Sequence, residues 1–288
     1  MKKVAVVTDT NSGILPEEAE KIGCFLVPMP FIIDGEIYFE CVSLSKEKFY
    51  EIQQSGTRIT TSQPNINEIV ALWNDILKTY DEIVYIPMSS GLSQSCETAI
   101  KFAEDFNGKV QVVDNHRVSI TMKASVIDAV NMAKDGNNAS EIKKWLENTS
   151  LQSSIYIMVD TLKYLKQGGR ITPAAAAIGT VLNIKPVLQI QGGKLDTYAK
   201  VMNVKTAKQK MIDALRKDLE GRFKGLVEEG KIRIAVAHTA NEENALIFAE
   251  EIKKEFPKIT FEFVDELALS IATHIGAKSL ACGCYIVY

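Results

Sequence analysis

Short hydroxyl side chains are concentrated in three segments, each where a strand-like apolar run gives way to a helical pattern. The segments are residues 8–12 (TDTNS), 60–64 (TTSQP) and 88–93 (MSSGLS). In an open parallel sheet, such loops meet beyond the carboxyl ends of the strands, where ligands bind. Hydroxyl groups and free backbone N–H groups at helix starts favour anions. Each segment alone is more often a simple helix cap, but the three together predict a site for a small anion.

Known catalytic and nucleotide-binding motifs do not occur in these segments. Neither GxxxxGK[ST] nor GxGxxG is present, so we do not expect a nucleotide or dinucleotide cofactor. Ser90 and Ser93 do not stand in a GxSxG motif, and nothing in the sequence selects a histidine and an acid to activate them. Asp9 invites comparison with an aspartyl-phosphate nucleophile, but Asn11 stands where the usual second acid would be.

The chain has three histidines, which are too far apart to suggest a metal site. We interpret His116 as a turn residue and His238 as a cap of the loop after a strand. His274 lies within the apolar stretch 267–276. The ring nitrogens of a histidine there form hydrogen bonds either with a neighbour in the core or with a ligand. The position of His274 in the helical pattern favours neither alternative.

The second half of the chain contributes a glycine pair and a run of alanines. Gly168 and Gly169 are predicted to end a short helix and to place Arg170 on a turn, where it is either solvated or functional. The run Ala174–Ala177 is small and smooth. It would pack against a helix or against an acyl chain.

The composition is that of an ordinary globular protein. The 288 residues are 46% hydrophobic and 24% charged, with net charge -3, which excludes disorder and argues against a nucleic-acid partner. No segment is long and apolar enough for a signal core or a membrane-spanning helix, so at most transient membrane contact is expected. The five cysteines are odd in number and lack CxxC spacing, as in reduced cytoplasmic proteins.

The N-terminal half alternates strands with amphipathic helices, which predicts a parallel α/β domain. The predicted strands are 3–8, 25–33, 83–88 and 109–114, and the predicted helices are 16–22, 46–54, 64–80, 92–106 and 118–134. Ser140 is predicted to cap a further helix, 141–148.

Polar residues 148–154 place a domain boundary near 150, giving domains 1–150 and 151–288. In the second, strands 186–190 and 194–198 flank Gln191, Gly192 and Gly193, which predicts an antiparallel hairpin. The later pattern predicts strands 155–159, 231–237, 259–264 and 283–288 and helices 205–223, 242–256 and 267–275. The expected fold is a parallel α/β domain followed by a mixed α+β domain, with a ligand between them.

Several of these motifs, in this order, resemble the DegV family of bacterial fatty-acid-binding proteins. They are 61–64 (TSQP), 89–93 (SSGLS), 113–114 (VD), 159–170 (VDTLKYLKQGGR) and 182–186 (LNIKP), and the resemblance extends along the whole chain. It implies one long-chain fatty acid buried between two domains. It also implies a non-enzymatic, acyl-binding subunit of bacterial fatty acid kinase, which presents the carboxylate to a separate ATP-dependent subunit.

The resemblance also implies roles for individual residues. The fatty-acid carboxylate is expected at Thr61, Ser62, Ser90, Gly91, Ser93 and His274, and Arg170 is expected to dock the kinase subunit. The apolar residues expected along the acyl chain, which come largely from the second domain, are Ala174, Ala177, Ile178, Leu182, Ile184 and Leu188.

The chain departs from the family pattern in three places. Met202 stands where many members carry arginine, residues 274–278 read HIGAK instead of HxGPG, and residues 94–96 read QSC instead of the commoner GTY.

Two other classes of function fit the same residues. One is a small-molecule enzyme or phosphotransfer protein using the same cleft, with Asp9, Ser93 and His274 as reactive groups. The other is a protein-interaction or regulatory module that uses the surface around Arg170.

Overall fold

The computed structural model describes residues 2–40, 42–177 and 184–288. In chain order the strands are β1 (Val4–Asp9), β2 (Phe25–Val27), β3 (Pro30–Ile33), β4 (Glu36–Phe39), β5 (Ile59–Thr61), β6 (Glu82–Ile86), β7 (Val110–Val112), β8 (Ser153–Met158), β9 (Lys185–Ile190), β10 (Asp196–Val201), β11 (Ile232–His238), β12 (Thr260–Glu266) and β13 (Leu280–Ile286).

The helices are α1 (Pro16–Ile22), α2 (Lys46–Gln54), α3 (Ile66–Ile76), α4 (Ser95–Ala103), α5 (Ser119–Lys134), α6 (Ala139–Asn148), α7 (Lys163–Gly168), α8 (Pro173–Ala176), α9 (Val204–Glu220), α10 (Lys224–Glu228), α11 (Glu242–Glu255) and α12 (Leu269–Ile275). Within the described ranges, no helix combines the length and apolar character needed to cross a membrane.

The strands form three sheets. A four-stranded parallel sheet has the order β2-β1-β6-β7, and a small antiparallel sheet has the order β4-β3-β5. A six-stranded sheet has the order β10-β9-β8-β13-β11-β12, in which only β11 and β12 pair in parallel. The expected fold class and the β9–β10 hairpin are confirmed. The boundary at residue 150 stays a prediction, although all six strands of the mixed sheet follow it.

The prediction of one strand over residues 25–33 is wrong. The chain leaves the parallel sheet after β2 and enters the small sheet at β3. Pro28 and Pro30 have no N–H group for a continuous ladder, so this stretch is poorly suited to a central strand. The next strand, β4, follows the turn Asp34-Gly35, whose φ angles of 50° and 90° are those of a tight hairpin. This Asp-Gly pair is a sequence signal for β4 that the prediction missed.

Two helix starts also differ from the prediction. Helix α3 begins two residues after Pro64 and is capped by Asn65. Helix α6 is capped by Asn138, with Glu141 completing a capping box, and not by Ser140. In both cases an asparagine side chain accepts a backbone N–H of the first helical turn, that of Asn67 in α3 and that of Glu141 in α6.

The inner face of the mixed sheet packs against the centre of the molecule. Ile155 and Ile157 of β8 face a cluster that includes Ile120 of α5, whereas Tyr156 and Met158 face the opposite layer, which includes α9 and α11. Helix α5 packs against both β1 of the parallel sheet and β13 of the mixed sheet. It is therefore buried along most of its length and joins the two sheets.

Helix α12 belongs to the C-terminal part of the chain but is held by N-terminal side chains. Glu40 accepts a hydrogen bond from the backbone N–H of Leu269, at 3.0 Å, at the start of the helix. Gln53 donates to the carbonyl of Ala272 at 2.9 Å. Burial raises the pKa of Glu40 to about 7, although the Leu269 N–H opposes this shift.

Glu40→Gln is expected to change how stability depends on pH. The folded protein keeps a proton on Glu40 between about pH 4.5 and pH 7, which the unfolded chain releases. The free energy of unfolding of the native protein should therefore fall, relative to Glu40→Gln, by up to about 3 kcal/mol as the pH rises through this window. Urea unfolding at pH 4.5, 5.5 and 7 measures the difference, and parallel curves for the two proteins would contradict the assignment.

Candidate functional site

A threonine–histidine pair joins the small sheet to helix α12. Thr61 is the last residue of β5, and its Oγ1 lies 2.9 Å from Nε2 of His274. Burial, and secondarily the charge of Arg170, lower the pKa of His274 to about 4. The imidazole is therefore uncharged at neutral pH, and the pair offers neutral hydrogen-bonding groups to a ligand.

The end of helix α7 lies directly beneath His274. A Cβ atom on Gly168 would overlap the His274 ring at Nδ1, so only glycine fits there. Gly169 then ends the helix in the left-handed conformation, with φ 68°. Arg170 follows, and its guanidinium donates to the carbonyls of Leu92 (3.3 Å) and Gly168. The predicted helix end at the glycine pair is confirmed, and Arg170 is pinned by carbonyl groups instead of lying free in solvent.

Residues 89–93 form a tight turn before α4, which begins at Ser95 and not at the predicted residue 92. The N–H of Ser93 donates to the carbonyl of Ser89 at 3.1 Å, and the N–H of Gly91 donates to Ser89 Oγ at 3.1 Å. A Cβ on Gly91 would lie 3.1 Å from Cα of Gly193, in the turn between β9 and β10. Gly91 therefore allows the hairpin of the mixed sheet to close over this turn.

These elements surround a cavity of about 570 Å³, within the range of small-molecule sites. Its polar lining residues are Asn11, Thr61, Ser62, Gln63, Ser90, Ser93, Gln94, Glu97, Ser119, Arg170, Lys194, Ser270 and His274. Its apolar lining residues are Met29, Met88, Leu92, Val118, Ile120, Ile155, Ile157, Leu165, Ile190, Leu195, Leu267, Ile271, Ile275 and Ala281. Several of the polar residues are exposed, whereas most of the apolar ones are buried. The cavity thus has a polar end at the surface and a mainly apolar interior, in which Asn11, Ser119 and Ser270 are buried polar residues.

All seven residues expected at the carboxylate and docking sites line this cavity: Thr61, Ser62, Ser90, Gly91, Ser93, Arg170 and His274. Their placement differs from the prediction in one respect. Thr61 belongs to an antiparallel strand, so only the segments around residues 9–12 and 88–93 lie at the edge of the parallel sheet. The roles of these residues stay a prediction.

The residues expected along the acyl chain are placed differently. Ala174 and Ala177 are exposed and do not line the cavity, because the short helix α8 turns only Ala175 fully into the core. Leu188 is buried in the same core cluster as Ile157 but does not line the cavity, and Ile184 packs at the edge of that cluster. Ile178 and Leu182 lie outside the described residues.

The interior residues that the sequence analysis missed come from several elements, among them β8, β13, α12 and the start of α5. Ile155 and Ile157 alternate along β8 with residues of the opposite sheet face. This alternation predicts a buried sheet face, but it does not predict a cavity beside that face. Ala281 pairs with Ile157 across the sheet and is small, which leaves space above it. Ala281 therefore contributes a small side chain to the cavity wall that no sequence motif marks.

Asp9 is a supporting residue behind the cavity wall. Its carboxylate accepts hydrogen bonds from the backbone N–H and the amide of Asn11, at 2.9 and 2.8 Å, and from the N–H of Met88, at 2.9 Å. Burial raises its pKa to about 6, and these three hydrogen bonds oppose the shift. Asn11 in turn accepts from Ser270 Oγ at 2.6 Å. Asp9 therefore positions Asn11 and the start of α12.

The arrangement does not favour nucleophilic catalysis. Ser93 Oγ contacts Ser95 Oγ at 3.0 Å, whereas His274 contacts Thr61. In the described part of the chain no hydrogen bond joins Ser93 to a histidine. The same part contains no group of three or more His, Cys, Asp or Glu residues suited to a metal ion.

The other two histidines lie where the sequence indicated. His116 is in a turn with φ 55°, and its side chain is 40% exposed. His238 Nδ1 accepts the N–H of Asn241 at 3.2 Å, which caps the loop after β11.

The sequence model of the DegV family, which is described as an uncharacterised protein family, matches residues 3–286. The chain belongs to the DegV family. Protein DegV of Bacillus subtilis (strain 168) is 31% identical to it over 287 residues, which are 98% of this chain and 99% of that protein. The family resemblance inferred from the motifs is confirmed.

Solved structures of the DegV family share the whole fold. A DegV family protein from Thermus thermophilus, described for its fatty acid binding, has a TM-score of 0.90 and 26% identity and covers 100% of both chains. DegV from Bacillus subtilis, described as a fatty acid binding protein, has a TM-score of 0.84 and 28% identity and covers 99% of this chain and 100% of that one.

Gly168→Ala is expected to displace the His274 ring. The added methyl group overlaps Nδ1, so the ring must leave its buried position and its contact with Thr61. The pKa of His274 should then rise from about 4 toward its ordinary value of 6.5. An NMR titration of the imidazole, assigned with His274→Gln, measures the change.

Gly225→Ala is the matched control, because a Cβ there meets no atom within 4 Å. It should leave the His274 titration unchanged. An unchanged titration in Gly168→Ala as well would show that the glycine does not fix the ring.

Proposed function

We propose that this protein binds one long-chain fatty acid in the cavity and presents its carboxylate to a separate, ATP-dependent fatty acid kinase subunit. The observation that carries the proposal is the division of the cavity into a polar surface end and an apolar interior. The likeness to Thermus and Bacillus DegV proteins described as binding fatty acids supports it.

The apolar interior would supply the affinity. Removing about 14 methylene groups of a palmitate-like chain from water contributes up to roughly 11 kcal/mol, at about 0.8 kcal/mol each. Branched side chains such as Ile155, Ile157 and Val118 line this part of the cavity and are nearly inaccessible to solvent. The tail would therefore account for most of the binding free energy.

The polar end would orient the carboxylate. Thr61, Ser93 and the uncharged His274 offer neutral hydrogen-bonding groups, with Ser62, Ser90 and Gly91 beside them. Neutral donors hold a carboxylate without the tight charge pairing that a buried lysine would impose. The carboxylate would thus remain able to attack a phosphoryl group.

The surroundings of the polar end fit presentation to a partner. Ser62, Gln63, Gln94 and Glu97 are exposed around it, so another protein can reach the head group. Arg170 lies at the same end and is held in place by two carbonyl groups. We propose that the partner subunit approaches here and supplies ATP, while this chain acts as the non-catalytic, acyl-binding subunit.

Thr61→Ala and Ser93→Ala are expected to weaken acyl-phosphate formation more than fatty-acid uptake. Each removes about one charge-assisted hydrogen bond to the carboxylate, on the order of 1.5–3 kcal/mol, while the buried tail keeps its contacts. Uptake is measured by native mass spectrometry and acyl phosphate by assay with the kinase subunit.

Ser140→Ala, at an exposed position on α6, is the control and should behave as the native protein. Equal losses of uptake and phosphorylation in Thr61→Ala and Ser93→Ala would contradict the proposal that the tail contacts supply affinity and the carboxylate contacts supply orientation. A purified protein without stoichiometric fatty acid, and without uptake of added lipid, would overturn the proposed function itself.

Ala281→Leu is expected to shorten the acyl chain that the cavity accepts. The leucine side chain would occupy space beside Ile157 and Ile120 in the interior. Affinity for an 18-carbon acid should fall at least tenfold relative to a 12-carbon acid. Native affinity for the 12-carbon acid serves as the internal control for folding. Native affinity for both chain lengths would place Ala281 outside the tail site.

A further inference from the structure

The N-terminus of helix α5 opens into the cavity without a cap. Val118, at the N-cap position, has no side chain able to accept a hydrogen bond, and Val118, Ser119 and Ile120 all line the cavity. Across the described ranges, no acceptor lies within hydrogen-bonding distance of the backbone N–H groups of Ser119 and Ile120. Free N–H groups at a helix start attract electron-rich atoms.

The Ser119 hydroxyl is a second, independent sign of a polar ligand. Ser119 is only 7% exposed and lines the cavity, yet its hydroxyl has no hydrogen-bond partner among the described residues. Other hydroxyls of the same helix are satisfied within it: Thr121 Oγ1 donates to the carbonyl of Val118 at 2.9 Å, and Ser125 Oγ to that of Thr121 at 3.1 Å. The Ser119 hydroxyl thus remains available to a group in the cavity.

The backbone at Ser119 supports the same conclusion. Its φ of 55° lies in the left-handed region, which glycine adopts more easily than serine. Serine nevertheless occupies the position, so its hydroxyl is a candidate for a role that offsets this strain.

Ser119 lies on a different element from the proposed carboxylate donors. The carboxylate donors come from β5, the turn 89–93 and α12, whereas Ser119 starts α5. The next residue, Ile120, also lines the cavity and packs against β13, where its Cδ1 lies 2.9 Å from the position that a Cβ on Gly283 would take. A plain hydrocarbon tail passing this spot would leave the Ser119 hydroxyl and the helix N–H groups unpaired.

We propose that Ser119 and the N-terminus of α5 bind an oxygen substituent, a hydroxyl or oxo group, on the acyl chain. The oxygen accepts hydrogen bonds from the helix N–H groups, and the Ser119 hydroxyl donates to an oxo group or exchanges a hydrogen bond with a hydroxyl. This inference rests on the proposed function, because it specifies the class of fatty acid that the cavity prefers.

The test compares octadecanoic acid with its positional isomers carrying one hydroxyl or one oxo group, using the delipidated full chain and competition binding. One substituent position should bind about tenfold tighter than the parent acid. In Ser119→Gly, which suits the left-handed backbone and keeps the helix N–H groups, the ratio of the two affinities should fall by at least about threefold, because the hydroxyl is lost. Thr121→Val removes a buried hydroxyl that bonds within the helix, so it should keep the native ratio.

The outcomes separate this inference from the proposed function. Binding of the parent acid with no preferred isomer overturns the inference and leaves the proposed function standing. Failure of the native protein to bind the parent acid overturns the proposed function. A preference that persists undiminished in Ser119→Gly overturns the role of Ser119. If the glycine variant does not bind the parent acid, Ser119→Ala is compared with the native protein in the same way.

Discussion

The contact between helix α12 and the N-terminal domain determines whether the site exists. His274 and Ser270 are carried on this helix, but Thr61 and Asn11, which they contact, come from the other end of the chain. Apolar packing of Leu269 and Ala272 against Phe31 and Phe49 supplies much of the contact. Two hydrogen bonds, from the Leu269 N–H to Glu40 and from Gln53 to the Ala272 carbonyl, then fix the position of the helix along this surface. A shift of α12 would separate Thr61 from His274 and would at the same time change the shape of the cavity wall.

The polar end of the site was predictable because its chemistry is local. Hydroxyl-rich turns such as residues 88–93 are visible in the sequence, and a glycine pair before Arg170 signals a helix end without any knowledge of tertiary contacts. His274 was ambiguous, because its partner lies 213 residues away. The three-residue strand that carries Thr61 was missed, since a strand this short has no periodicity of its own and exists only through pairing with β3.

The apolar interior was the harder part. A cavity forms where side chains from several elements leave a space between them, so the sequence of one segment does not reveal it. Ile155 and Ile157 look like any buried strand, and the role of Ala281 depends on what stands across the sheet from it. The alanine run was interpreted from composition alone, and Ala174 and Ala177 proved to be exposed. A small side chain indicates a cavity only when it is known to face the interior of the protein.

The order of strands in the mixed sheet has a consequence for how the protein is made. Strand β13, the last in chain order, lies between β8 and β11 and not at an edge. During synthesis, β8 and β11 therefore have no partner on that side until residues 280–286 have left the ribosome, and apolar strand edges stay open meanwhile. The floor of the cavity is completed in the same step, since Ala281 belongs to β13. A nascent chain that lacks this strand could not complete the cavity, so the proposed fatty-acid binding would be restricted to chains that have finished folding.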